Sequence, residues 1–129
     1  MIKQHHVLLV LCVPLLTGCA SIFLRLHGVP EAIIQAYDDK LIESRAMHRS
    51  AQLENEDITV SRCSLGSDTY YSIDRRCSDC ANYRSVYLDH AGHEVGMYWS
   101  TGDAGGAGTG IAAHAELHCT PIRQDRIGG

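Results

Sequence analysis

An unbroken apolar run from Val7 to Leu16, preceded by one cation at Lys3 and followed within three residues by Cys19, decides how much of this chain has to fold. A short charged start, an apolar centre and small residues before a cut point make a signal-peptide layout. The run is about half of the roughly 20 residues needed to cross a hydrocarbon core, so it reads as a removable export signal rather than a retained span. The alternative, a buried N-terminal helix, lacks any amphipathic pattern. Of the 129 residues, those after position 18 suffice for one small domain. The formal charge is -4, and loss of Lys3 leaves the exported chain more acidic by a single charge, with no basic footprint for nucleic acid. One Phe and one Trp against six Tyr imply a modest core in which tyrosine supplies most of the aromatic area.

Leu16-Thr17-Gly18-Cys19 resembles the lipobox of bacterial lipoproteins: a Leu three residues before, a small residue just before, and the Cys itself. The resemblance covers only the first 19 or so residues. It implies a diacylglyceryl group on the Cys19 thiol, cleavage before Cys19 and acylation of the new amine. Ala20, rather than Asp, at the second mature position implies the outer membrane of a Gram-negative envelope, with the domain facing the periplasm. Each buried CH₂ contributes about 0.8 kcal/mol, so two or three chains anchor almost permanently where one would not.

With Cys12 removed and Cys19 alkylated, Cys63, Cys77, Cys80 and Cys119 remain. An even number in a small exported domain reads as a disulfide framework. Three pairings exist, and closure of a sheet favours those tying Cys119 to Cys63 or Cys80. The rival is a redox Cys77-Ser78-Asp79-Cys80, for which Arg75 and Arg76 would support a thiolate, but no βαβ pattern precedes it and Asp79 opposes it.

After an apolar strip from Ala20 to Pro30, Ile33 or Ile34, Tyr37 and Leu41 fall at helical spacing behind Pro30 and Glu31, predicting one amphipathic helix over Glu31 to Leu53. From Asn55 onward β-branched residues, Tyr and turn signals take over. Ile58 to Ser64 and Thr69 to Ile73 flank a turn at Gly66-Ser67-Asp68, and Ser85 to Leu88 and Glu94 to Trp99 flank Asp89 to His93. A last strand is expected over Ile111 to Cys119. The fold class is therefore α+β: one N-terminal helix on a small, disulfide-stabilised antiparallel sheet of about five strands. Residues 1–18 form the signal peptide, 19–30 a lipidated tether, 31–121 the domain and 122–129 a loose tail.

The chemistry-bearing patterns are sparse. His90 and His93 share one turn, and His114 and His118 lie four apart; with Cys77 or Cys80 they could make a Zn or Cu site. On a strand, however, His114 and His118 stand about 13 Å apart, too far to share an ion, and solvated polar positions explain all four. Gly108-Thr109-Gly110-Ile111-Ala112-Ala113 fits G-x-G-x-x-A, and Gly102, Gly106 and Gly110 fit GxxxGxxxG, but the flanking βαβ unit and the long apolar helix these need are missing, so the segment reads as a flexible connection. No G-x-S-x-G, H-E-x-x-H or Walker loop is present. No cofactor is implied. The expected function is a non-catalytic binding or assembly module with an envelope protein as partner. Tyr70, Tyr71, Tyr83, Tyr87, Tyr98 and Trp99 are its richest contact residues, unless they serve as core. A metal-binding lipoprotein and a thiol-disulfide oxidoreductase are the alternatives.

Overall fold

The computed structural model describes residues 19–51, 55–77, 82–101 and 105–128. Among them, helices α1 (Cys19–Leu26) and α2 (Glu31–Ala51) precede strands β1 (Glu56–Leu65), β2 (Asp68–Cys77), β3 (Asn82–Leu88), β4 (Glu94–Thr101), β5 (Gly106–Gly110) and β6 (His118–Ile127), with a 3-10 turn at Ile111–Ala113. The strands form one antiparallel sheet in the order β5-β4-β3-β2-β1-β6, so the chain meanders outward and its last strand returns to the free side of the first. The α+β class thus holds, with six strands. No helix among the described residues is long and apolar enough to cross a membrane.

Helix α1 ends where its sequence requires. Gly28 adopts φ 72, Gly28 N donates to the Arg25 carbonyl and Val29 N to the Leu24 carbonyl, both at 3.0 Å. This is a Schellman ending, and the apolar contact that accompanies it joins Leu24 to Val29, both buried. The Pro30 carbonyl then accepts from Ile33 N and Ile34 N and starts α2. Ile33, Tyr37, Leu41 and Ser44 make one buried stripe of α2, which lies against β1 and β6. The core joins this stripe and Leu24 to Ile58, Val60, Tyr71, Ile73, Leu88 and Ile127. At its centre the Tyr37 hydroxyl donates to Asp125 Oδ2 at 2.6 Å and lies 3.0 Å from the Ile58 carbonyl. Burial, reinforced by the Asp125 carboxylate, pushes the Tyr37 phenol far above its usual range. Burial also works against ionised Asp125, but hydrogen bonds from Arg123 and Tyr37 outweigh it and hold the carboxyl below normal.

Three expectations are corrected. The 19–30 tether segment is folded onto the domain: Cys19–Leu26 is a helix with Leu24 fully buried. Residues 111–119 are not the last strand: a 3-10 turn occupies Ile111–Ala113, and β6 runs through the supposed tail. Its ten residues, HCTPIRQDRI, look polar because an edge strand needs few apolar positions; Ile127 supplies one, and Arg126 pairs with Asp57 across the strands. Pro121, which cannot donate to a ladder, sits where the β1–β6 register shifts. Finally, part of the glycine segment is strand β5. Its backbone pairs with β4, and any side chain on Gly110 would strike the Val95 carbonyl at 2.1 Å.

Candidate functional site: a half-buried aspartate on the tyrosine face

Directly opposed residues of antiparallel strands share a face, and successive residues alternate. Ile58, Val60 and Ile73 point toward the helices, so their neighbours point away. Across that face, which no helix among the described residues covers, the rows read Ser61, Ser72, Tyr87, Gly96, Gly110 and Thr59, Asp74, Ser85, Tyr98, Gly108 and Asp57, Arg76, Tyr83, Ser100, Gly106. Small polar residues dominate β1, tyrosines β3 and glycines β5, and β4 adds Tyr98. The order has a steric cause: the Tyr98 hydroxyl lies 1.8 Å from where a Cβ on Gly106 would stand, so only a bare backbone at the edge accommodates that ring. Tyr83 and Tyr98 meet edge to face at 5.9 Å, and Arg76 lies 5.8 Å from the Tyr83 ring centre.

Ser61, Ser72 and Ser85 are buried on this face although no helix among the described residues packs there. Asp74 stands among them. Its Oδ2 accepts a hydrogen bond from Ser72 Oγ at 3.4 Å, while its Oδ1 is buried without a hydrogen-bond partner among the described residues. The Ser85 hydroxyl donates to Tyr83 Oη at 2.8 Å. Burial raises the Asp74 carboxyl above its ordinary value, and the nearby hydroxyls of Ser85, Ser72 and Tyr83 only partly oppose it. The same burial, with Asp74 beside them, raises the phenols of Tyr83 and Tyr87. A carboxylate with one oxygen buried and unanswered among the described residues is costly for the fold and suited to accept a donor group from a ligand or partner.

The contact residues named from the sequence are divided by this geometry. Tyr70, Tyr83, Tyr87 and Tyr98 share the face that points away from the described helices. Tyr71 faces the helices at 3 % exposure, with its ring edge-on to His90 at 5.7 Å, and belongs to the core. Trp99 stands opposite Arg84 on the helix side, 41 % exposed. Asp74 escapes a reading of the sequence because the expected strand stops at Ile73. Its only signal is its place two residues beyond Ser72 in an alternating segment.

The cysteines divide as well. Cys63 and Cys119, directly opposed on β1 and β6, are joined to each other. Cys77, at the end of β2, is also disulfide-bonded, to neither of these. Cys80 lies outside the described residues, as does the side chain of Cys19, whose backbone opens α1. His90 and His93 occupy the β3–β4 turn, where Asp89 Oδ1 accepts from Ala91 N and His93 N, and His93 Nδ1 lies 3.4 Å from Asp89 Oδ2. Those two backbone hydrogen bonds, that of His93 first, keep the Asp89 carboxyl below its usual range. Cys77 ends its strand at the opposite end of the sheet from that turn, and His114 and His118 flank the link into β6. Among the described residues, no three of His, Cys, Asp and Glu stand close enough to hold a metal ion. Comparisons with family models, with curated proteins and with solved structures find no match to this chain.

Proposed function

We propose that this chain is a lipid-anchored lipoprotein of the bacterial envelope that works by binding, with its domain held directly against the membrane surface and the tyrosine face around Asp74 as its contact surface. The observation that carries the reading is the continuity between the lipobox and the fold. Helix α1 begins at Cys19, its Leu24 is part of the core, and Ser21 Oγ donates to Asp38 Oδ2 at 2.7 Å. Acyl chains on Cys19 would therefore join a folded helix without a flexible peptide spacer, which keeps the domain close to the membrane surface. A binding role fits a face rich in Tyr, whose large rigid rings give contact area at small entropy cost and are enriched at interfaces. Ala20 supports the outer membrane, facing the periplasm.

The test is fractionation of cells expressing the full chain, with palmitate labelling and a Cys19→Ser variant. Wild type is expected in the membrane fraction and labelled; the variant is expected to be unlabelled and released. A variant that stays with the membrane defeats the reading.

A second reading, thiol-disulfide exchange at Cys77 and Cys80, draws support from one observation: Cys77 is bonded but is not committed to Cys63 or Cys119. Mass-spectrometric mapping under graded reductant decides it. Exchange chemistry needs a Cys77–Cys80 bridge that opens well before Cys63–Cys119 does.

A further inference from the structure

On the helix side of the sheet, beyond the end of α1, lies a cleft of about 440 Å³. Its floor is two cross-strand rows: Thr120 of β6 opposite Arg62 of β1, and His118 of β6 opposite Ser64 of β1, which in turn faces Thr69 of β2. His27, just past α1, forms a wall. The lining thus offers a guanidinium, two imidazoles and three hydroxyls and, among the described residues, no carboxylate, in a chain with 15 acidic against 11 basic residues. Arg62 differs from the ion-paired arginines of the fold. Arg25, Arg75, Arg123 and Arg126 each meet a carboxylate; Arg62 instead donates to the His27 carbonyl and lies 5.8 Å from the Tyr71 ring centre. Those two contacts fix the plane of the guanidinium while using one of its five N–H groups, and its charge is left without a counter-ion among the described residues.

We propose that this cleft binds a phosphate mono- or diester through Arg62, with the hydroxyls of Ser64, Thr69 and Thr120 and the His27 and His118 rings completing the set of donors. Arginine and phosphate make paired, charge-assisted hydrogen bonds. A donor set of this size exceeds what the two oxygens of a carboxylate can accept and suits a tetrahedral oxyanion. The volume leaves room for more than the anion itself, within the range of small-molecule sites. The site is also held in place: the Cys63–Cys119 disulfide lies between the Arg62–Thr120 and Ser64–His118 pairs and fixes the spacing of β1 and β6 there. The phosphate can come from a lipid headgroup or from a soluble ester. The eight residues of α1 span about 12 Å, so the cleft is within reach of a bilayer surface at Cys19, but the chemistry of the cleft does not depend on acylation.

The experiment titrates the full chain, purified in non-ionic detergent, with glycerol 3-phosphate, with short-chain phosphatidylglycerol and with glycerol, following heat release and the histidine ring NMR signals. Saturable binding of at least one phosphate ligand, none of glycerol, and shifts at His27 and His118 are expected. Arg62→Gln, which keeps a donor for the His27 carbonyl, is expected to weaken binding at least tenfold with unchanged unfolding temperature. Thr120→Ala on the exposed edge is expected to weaken it a few-fold, and carries the test if Arg62→Gln fails to fold. Tighter binding of the lipid assigns the headgroup as source, and tighter binding of the glycerol ester assigns a soluble ligand; either supports the site. No saturation with either phosphate, or equal affinity in the folded variants, overturns it.

Discussion

Replacing Asp74 by Asn is expected to stabilise the folded chain at pH 7 by about 1–2 kcal/mol, an uncommon outcome for a change at a largely enclosed position. The magnitude follows from Oδ1, which is buried with no hydrogen-bond partner among the described residues. An unanswered buried acceptor costs about 1–3 kcal/mol, more when charged. Asn keeps the shape and one oxygen for Ser72, and removes the charge. For a domain of this size, each kcal/mol moves the unfolding midpoint by about 4–8 °C. The pH dependence follows from the direction of the shift. The folded carboxyl titrates above the ordinary 3.8, so between the two values the folded state holds the extra proton. Wild-type stability from this group is therefore greatest in acid, falls as pH rises through the folded value, and stays low above it. The advantage of Asp74→Asn should be full at pH 7 and shrink toward acid. Urea unfolding followed by circular dichroism at several pH values measures it. A variant less stable than wild type at pH 7, or a gain independent of pH, would refute the argument that a buried, unanswered charge strains this face.

Other perturbations test the frame around the site. Removing the Cys63–Cys119 bridge by Ala at both positions frees residues 56 apart in sequence, for which loop-closure entropy gives a loss of about 4 kcal/mol; a urea midpoint shift equivalent to under about 1 kcal/mol would contradict that. Gly110→Ala places a Cβ 2.1 Å from the Val95 carbonyl at φ 58. It should detach β5 from β4, raising amide exchange in those strands while that of Ile58 and Val60 stays slow. Glu56 is held below its usual range because Arg75 at 2.6 Å, aided by His48 and Ser44, outweighs the burial that would raise it. Its contribution is complete above the ordinary carboxyl value and lost as pH falls through the lower folded one, so Glu56→Gln should cost stability at neutral pH and flatten the acid transition.

Sequence by itself determined what local rules govern. Ile33, Tyr37 and Leu41 recur at the helical period, and Gly28 and Pro30 punctuate the chain between α1 and α2. Gly66 and Gly92 mark the two hairpin turns with positive φ, and the reading of Cys19 as a point of lipid attachment starts from the apolar run and the small residues that precede it. Only the tertiary structure decided matters that depend on partners far along the chain. The segment after Pro121 became a strand because β1 offered it a ladder, and the Gly106–Gly110 run became one because β4 needed a neighbour without side chains beneath Tyr98. The same cross-strand register chose Cys63 for Cys119, enclosed Asp74 among tyrosines, and set Arg62 beside Thr120. Period and turn chemistry are written in adjacent residues. Register is a non-local energy, set by which faces two distant segments bury together, and the candidate sites of this protein are made by register.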